Sequence, residues 1–146
     1  MLFRSEKYFE ESRRVLTRQL GSKGLERLDV PHDGNCLFVS LCFSAGLALE
    51  HSKLRAEIVA YLRGFGSEFK PWFDTHFQSY DADLAAMSRE STYGDDLCVQ
   101  AAAHLMMRPI HVISDIADEA YSETIFHHHG PSPKQRGAFL WWWLAM

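Results

Sequence analysis

Cysteine is scarce in this chain, and what there is does not pair. Cys36, Cys42 and Cys98 make an odd number, and none belongs to a C-x-x-C pair. A disulfide framework and a closed zinc site both need more thiols at closer spacing, so neither is expected, and a reducing compartment suits the chain better. Long apolar runs are also missing. Nothing approaches the roughly 20 residues of a membrane-spanning helix, and Ala138 to Met146 is far too short. Met1 to Glu11 mixes charged and apolar residues and lacks the apolar stretch of a signal peptide. A cytoplasmic protein with no membrane partner is expected. Excess positive charge is absent as well: 15 Lys and Arg stand against 19 Asp and Glu, for a formal net charge of -4. Proteins that hold phosphate backbones are usually basic, so nucleic acid is not an expected partner. There is no internal repeat and no disordered tail.

What is present is the material of a globular domain. The 146 residues suit one compact domain rather than two. Hydrophobic residues make up 47% and charged residues 23%, with ten Phe, five Tyr and four Trp, enough to build an aromatic-rich core without staples. Helices come first. Ser5-Glu6 reads as a helix start, with Phe9, Leu16 and Leu20 on one face and Gly21 and Gly24 as the stop. Leu25 to Val30 reads as a short extended segment, and Pro31 to Asn35 as a turn. Cys36 to Ala45 is apolar nearly all round and reads as a buried helix, although a short apolar run also suits a buried strand. Ser52 to Leu62 carries Leu54, Ile58 and Leu62 four apart, an amphipathic helix. Gly64, Gly66 and Pro71 break the chain, and Asp81 to Ser88 reads as a short helix. Asp95 and Asp96 suit a helix start, followed by the stripe Leu97, Ala101, Leu105 and a stop at Pro109. Three strands then follow: Ile110 to Ile113, Tyr121 to Phe126, and, after the loop at Gly130 to Pro133, Ala138 to Leu144. Helices first and strands after them predict an α+β domain.

Chemistry concentrates at Asp33-Gly34-Asn35-Cys36-Leu37-Phe38. Thiol nucleophiles act as thiolates, and a cysteine that opens a helix sits where the dipole favours the anion. Gly34 can take backbone angles closed to other residues, which lets the turn aim its N–H groups at one point, as an oxyanion hole requires. Asn35 adds an amide that can assist. The same residues also read as an Asp-Gly turn before a buried structural cysteine, a common fate of this residue type. Cys42 and Cys98, with apolar neighbours on helix faces, read as core.

Asp33 to Phe38 resembles the signature of the ovarian-tumour (OTU) family of cysteine proteases and deubiquitinases. Four further blocks keep the family's order. Leu54-Arg55 with Ile58-Val59-Ala60-Tyr61-Leu62 resembles its next helix. Met87-Ser88 and Thr92-Tyr93-Gly94-Asp95 resemble its Met-Ser and Trp/Tyr-Gly-Asp block. Leu97 with Gln100-Ala101-Ala102-Ala103 resembles the helix after that, and Arg108 to Ser114 the strand that follows. Order and spacing agree from about Asp29 to the end. The resemblance implies a papain-like fold of OTU type, a helical lobe packed on a small mixed β-sheet. Residues 1–28 would be an N-terminal helical extension and 29–146 the catalytic domain. Cys36 would be the nucleophile. Asp33 would belong to the same catalytic loop, shaping the oxyanion hole or supporting the charge balance, with Gly34 and Asn35 supporting the loop. A histidine oriented by Asn or Asp would be the base. The reaction would be thiol-dependent hydrolysis of ubiquitin isopeptide linkages. No metal or other cofactor is expected, and the partner would be ubiquitin or polyubiquitin, met by a monomer.

One part of the pattern departs. In the family the histidine follows the last strand directly, in a His-Tyr or similar pair. Here Phe139 to Leu144 is followed only by Ala145 and Met146, so the expected histidine would lie just past the end, and its orienting residue with it. His127, His128 and His129 stand in a loop and are weaker candidates for the base; a metal site there lacks the spacing. His104 and His111 read as structural, and His32 is near Cys36 only in sequence. The alternative to an active deubiquitinase is therefore a catalytically impaired OTU-fold module that binds ubiquitin. From Asp74 to Glu123 acids outnumber bases, interrupted only by Arg89 and Arg108. That excess suits the arginines of ubiquitin's tail or is simply a solvated surface. Trp141, Trp142 and Trp143 read as core.

Overall fold

The stop of the first helix illustrates how the chain is punctuated. A computed structural model describes residues 2–73, 79–115 and 122–128. Helix α1 (Leu2–Ser22) begins earlier than its sequence signals and runs through Gly21. It ends at Gly24, whose φ of 68° is in the left-handed region, and the Leu25 N–H donates back to the Leu20 carbonyl at 2.9 Å. Leu25 to Val30 then forms no strand. Its backbone finds no ladder partner, so the extended segment expected there is a loop.

The remaining elements are α2 (Cys36–Ser44), α3 (His51–Gly64), α4 (Gly66–Phe69), a 3-10 turn (Lys70–Trp72), α5 (Tyr80–Met87), α6 (Asp96–Met106), β1 (Ile110–Ile113) and β2 (Glu123–Phe126). The two strands pair as a small antiparallel sheet. The fold is α+β, as the order of elements predicts. The strand expected at Ala138 to Leu144, with its three Trp residues, lies outside the described residues. The glycines and proline at 64, 66 and 71 do not open a loop. They divide α3 from two short helical turns.

The chain forms two units. The described residues of the first are 2–29, 111–115 and 122–125; those of the second are 30–73, 79–110 and 126–128. In the first unit, Leu16 and Leu20 of α1 and Ile113 of β1 form an apolar cluster with Leu25 against it. At its surface Glu123 has two partners, accepting from Lys23 Nζ at 3.1 Å and meeting His111 Nδ1 at 2.6 Å. These partners hold the Glu123 carboxyl below its ordinary range. His111 is the exposed residue of β1, and its neighbours Ile110 and Val112 are buried, as a strand's alternation requires.

In the second unit α3 packs against α2, α5 and α6. Leu54, Ile58 and Leu62 are buried at the expected four-residue spacing, and Val59 joins them. The expected stripe on α6 is wrong. Leu105 is exposed and Leu97 half-buried, while every residue from Cys98 to Ala103 is buried. Ala101, Ala102 and Ala103 are short enough to be enclosed on several sides at once, so the middle of α6 has no solvent face. This helix stops at Met107, in left-handed geometry with φ 51°, two residues before Pro109.

Candidate active site

Helix α2 forms because both ends of its apolar run are punctuated. At its C-terminal end Gly46 takes a φ of 62°, and the Leu47 N–H returns to the Cys42 carbonyl at 2.9 Å. Leu37, Phe38 and Leu41 are buried. At the N-terminal end the chain is wound tightly before the helix begins. The Asn35 N–H donates to Asp33 Oδ1 at 2.9 Å, and the Cys36 N–H donates to the Asp33 carbonyl at 3.2 Å. Asp33 thus winds the turn that leads into α2.

Gly34 is needed for a different reason from the one its sequence suggests. Its φ is not in the left-handed region. Instead the Ser91 backbone lies against it, and a Cβ at this position would overlap the Ser91 carbonyl. Ser91 itself takes a φ of 65°, an uncommon value for a residue with a side chain. Gly94 makes a second close approach, where a Cβ would overlap the Leu37 side chain. The segment from Ser91 to Gly94 therefore runs along the turn and the first residues of α2.

Asn35 ties the loop to its neighbours through its side-chain oxygen. Asn35 Oδ1 accepts from the Ser91 N–H at 2.8 Å and from Arg55 Nη2 at 2.9 Å. Arg55 is the residue that sequence reasoning missed. It is 1% exposed, on the buried face of α3. Its guanidinium donates to the Met87 carbonyl at 2.9 Å and to the Gly34 carbonyl at 3.0 Å, and it lies 4.0 Å from the centre of the Phe38 ring. The signal was available: Arg55 falls three, four and seven residues before Ile58, Val59 and Leu62, in the middle of an apolar helical stripe.

Cys36 is half-buried, whereas Cys42 and Cys98 are buried; all three are free thiols. The expectation that the helix start would depress the Cys36 thiol is overturned. Burial pushes its pKa up and is the largest effect; the Leu37 amide opposes it, the Asp33 carboxylate adds to it, and Cys36's own amide opposes it. The two upward effects win, so the neutral thiol is favoured. No imidazole among the described residues contributes to this balance. Burial likewise raises Cys42, and it raises Cys98 well beyond the ordinary thiol range.

The described histidines are spread out. His32 is exposed in the turn before Cys36. His104 Nδ1 meets the Tyr61 hydroxyl at 3.1 Å. His127 is exposed just past β2, and its carbonyl accepts from Gln100 Nε2 at 2.6 Å. His129 lies outside the described residues. The acidic excess is partly internal rather than a solvated sheet. Asp95 accepts from the Cys98 N–H at 3.1 Å as the cap of α6. Beside it Asp96 is pushed up to about 6, by burial first and by the Asp95 charge second. Among the described residues no group of three His, Cys, Asp or Glu is placed to hold a metal ion. On the face of α2 that carries Cys36, Val39 and Phe43 line an open apolar groove of about 280 Å³ with Cys42, Leu47, Leu49 and His51.

Comparison with known proteins gives one consistent result. Residues 31–145 match the family model described as OTU-like cysteine protease. The chain is 25% identical over 130 residues to OVARIAN TUMOR DOMAIN-containing deubiquitinating enzyme 11 of Arabidopsis thaliana, covering 88% of this chain and 51% of that protein. It is 32% identical over 116 residues to the Arabidopsis thaliana deubiquitinating enzyme 9 of the same series, covering 77% and 32%. It is 33% identical over 95 residues to OTU domain-containing protein 3 of Mus musculus, covering 64% and 24%. The chain thus spans about half or less of the relatives it matches. Among solved structures it is similar to the OTU domain of OTUD1, with a TM-score of 0.72 at 18% identity, over 90% of this chain and 87% of that one. That likeness establishes the fold.

Proposed function

This chain belongs to the OTU-like cysteine protease family, and on that premise we propose that it is a deubiquitinase that hydrolyses ubiquitin isopeptide linkages with Cys36 as its nucleophile. The observation that carries the proposal is the placement of Cys36. Its sulfur stands half-exposed at the start of α2, with the amides of Leu37 and of Cys36 itself acting on it. In the reaction the thiol first gives up its proton. The thiolate then adds to the carbonyl carbon of ubiquitin's C-terminal glycine, and amide donors at the helix start meet the developing oxyanion. Collapse of the tetrahedral species breaks the C–N bond, the amine leaves with a proton, and water hydrolyses the thioester. The base is assigned to no described residue. Residues 29–146 would form the catalytic domain after a helical extension over 1–28. Ubiquitin or its chains would be the partner of a monomeric, cytoplasmic enzyme, a setting that suits three free thiols.

A second reading is favoured by the upward push on Cys36 with no imidazole acting on it among the described residues. A thiol in that state is mostly protonated at neutral pH, and losing general-base assistance typically costs ~10²–10⁴-fold in rate. The chain would then bind ubiquitin without turning it over. Incubation with linked ubiquitin separates the readings. Cleavage that disappears in Cys36→Ala is the result expected of the enzyme. Retention of ubiquitin on a binding assay with no cleavage identifies the impaired module, and neither binding nor cleavage rejects both.

A further inference from the structure

Residues 88–95 join α5 to α6, and the chain is pinned there more firmly than a connection requires. At one end Thr92 Oγ1 donates to the Ala86 carbonyl at 3.0 Å, in the last turn of α5; at the other Asp95 caps α6. Between these anchors the segment is fixed to the turn that carries Cys36. The Ser91 N–H donates to Asn35 Oδ1 at 2.8 Å, an oxygen that Arg55 Nη2 also holds. Gly34 leaves room for the Ser91 carbonyl, and Gly94 for the Leu37 side chain. Ser91 keeps a φ of 65°, which a residue with a side chain holds only where its surroundings fix it. Residues 34, 35 and 37 stand on both sides of Cys36, so whatever reaches the half-exposed sulfur comes within reach of this segment. Tyr93 lies between its two points of attachment. The residue is 65% exposed, and its ring meets no partner among the described residues. One exposed aromatic is ordinary in itself. What sets Tyr93 apart is its mounting: the backbone two residues before it and one residue after it is locked against the neighbours of the nucleophile. A residue held in this way gives up little freedom on binding, and tyrosine has only two side-chain angles to fix.

We propose that Tyr93 is a substrate-contact residue, packing its ring against the segment of ubiquitin that leads to the scissile carbonyl and so determining how well that segment is held at Cys36. The pinned loop has the ring's backbone in place before substrate arrives. The contact is made by the ring, whose apolar area carries most of the gain, and not by the hydroxyl. The inference rests on the ubiquitin reading of the site and adds to it a binding residue outside the turn and the nucleophile.

The test uses the whole chain and ubiquitin carrying a fluorogenic amide at its C-terminus. Tyr93→Ala should raise KM about tenfold while kcat changes less than about threefold, the size of effect expected from truncating an interface anchor. Tyr93→Phe keeps the ring and should stay within about twofold of the wild-type KM. Iodoacetamide alkylates the Cys36 sulfur by displacing iodide and involves no ubiquitin, so it reads the thiol alone. Its rate, with the adduct mapped to Cys36 by mass spectrometry, should differ less than about twofold between Tyr93→Ala and the wild type. If the wild-type chain binds ubiquitin without turning it over, Kd takes the place of KM, with the same rise of about tenfold. An unchanged KM or Kd in Tyr93→Ala, a Tyr93→Phe as impaired as Tyr93→Ala, or an equal loss of alkylation would overturn the inference. A chain that cleaves or binds ubiquitin but is indifferent to Tyr93 loses this inference alone. A chain that neither cleaves nor binds ubiquitin loses the ubiquitin reading, and this inference with it.

Discussion

Two helices of the second unit begin with the same pair of residues and end in opposite chemistry. Asp33 stands three residues before Cys36 at the start of α2, and Asp95 stands three before Cys98 at the start of α6. At α6 the arrangement is a regular cap: the Asp95 carboxylate accepts the Cys98 amide, and the thiol is fully buried. Burial and the Asp95 charge raise that thiol far out of reactive range. At α2 the Asp33 carboxylate takes the Asn35 amide instead, and Cys36 remains half-exposed with amides acting on its sulfur. The difference lies in the residues between. Gly34 admits the Ser91 backbone, and Asn35 is drawn to Arg55 and Ser91 rather than to its own helix. An aspartate and a cysteine at a helix start therefore do not make a reactive site by themselves. What surrounds them decides whether the amides are consumed or left for a substrate.

The sharpest way to break the comparison is Gly34→Ala. The added methyl overlaps the Ser91 carbonyl, so the turn must move. Stability should fall by about 2–3 kcal/mol in urea unfolding, within the range for overpacking a fitted site. Reaction at Cys36 should fall with it. At α6, Asp95→Ala removes a cap and should lower stability by about 1–2 kcal/mol while leaving the Cys36 alkylation rate unchanged. A change in that rate would show that the two helix starts are not independent.

Asp96 sharpens the contrast through pH. Its folded pKa of about 6 lies above its ordinary value of 3.8. The folded state therefore binds the proton more tightly than the unfolded chain, and stability falls as pH rises from about 4 to about 6, then levels off. Asp96→Asn should flatten that slope and gain about 1 kcal/mol at pH 7, a figure reduced for the partial exposure of the group. Unfolding at pH 4.5 and 7.5 measures it, and an unchanged slope rejects the assignment to Asp96. The smallest effect is expected from Asp33→Asn, which keeps an acceptor for the Asn35 amide but removes the charge that raises Cys36. The thiol pKa should fall, and alkylation at pH 8 should rise about twofold. A slower reaction would mean that the carboxylate matters more as a strut than as a charge.

How much of this was written in the sequence follows from the range of each interaction. The turn at Pro31 to Asn35, the helical stripe of Leu54, Ile58 and Leu62, and the cap at Asp95 are local, and each was legible. The thiol's direction of shift was not, because burial of Cys36 depends on the fold around it, and burial outweighs the local dipole. Gly34 was rightly singled out for the wrong reason: its neighbour is Ser91, 57 residues away in the chain. Arg55 stands in that helical stripe with no role visible in the sequence, since its partners at Gly34, Asn35 and Met87 meet it only after folding. The α6 stripe failed because alanines can be enclosed on any face, so periodicity carries little information there.

The central claim is that the uncapped helix start, and not the capped one, carries the nucleophile. Ubiquitin bearing an electrophile at its C-terminus, followed by peptide mapping of the adduct, tests it most directly. One adduct on Cys36, none on Cys42 or Cys98, and none in Cys36→Ala is the predicted result. An adduct that persists in Cys36→Ala, or no adduct in the wild-type chain, would contradict the account.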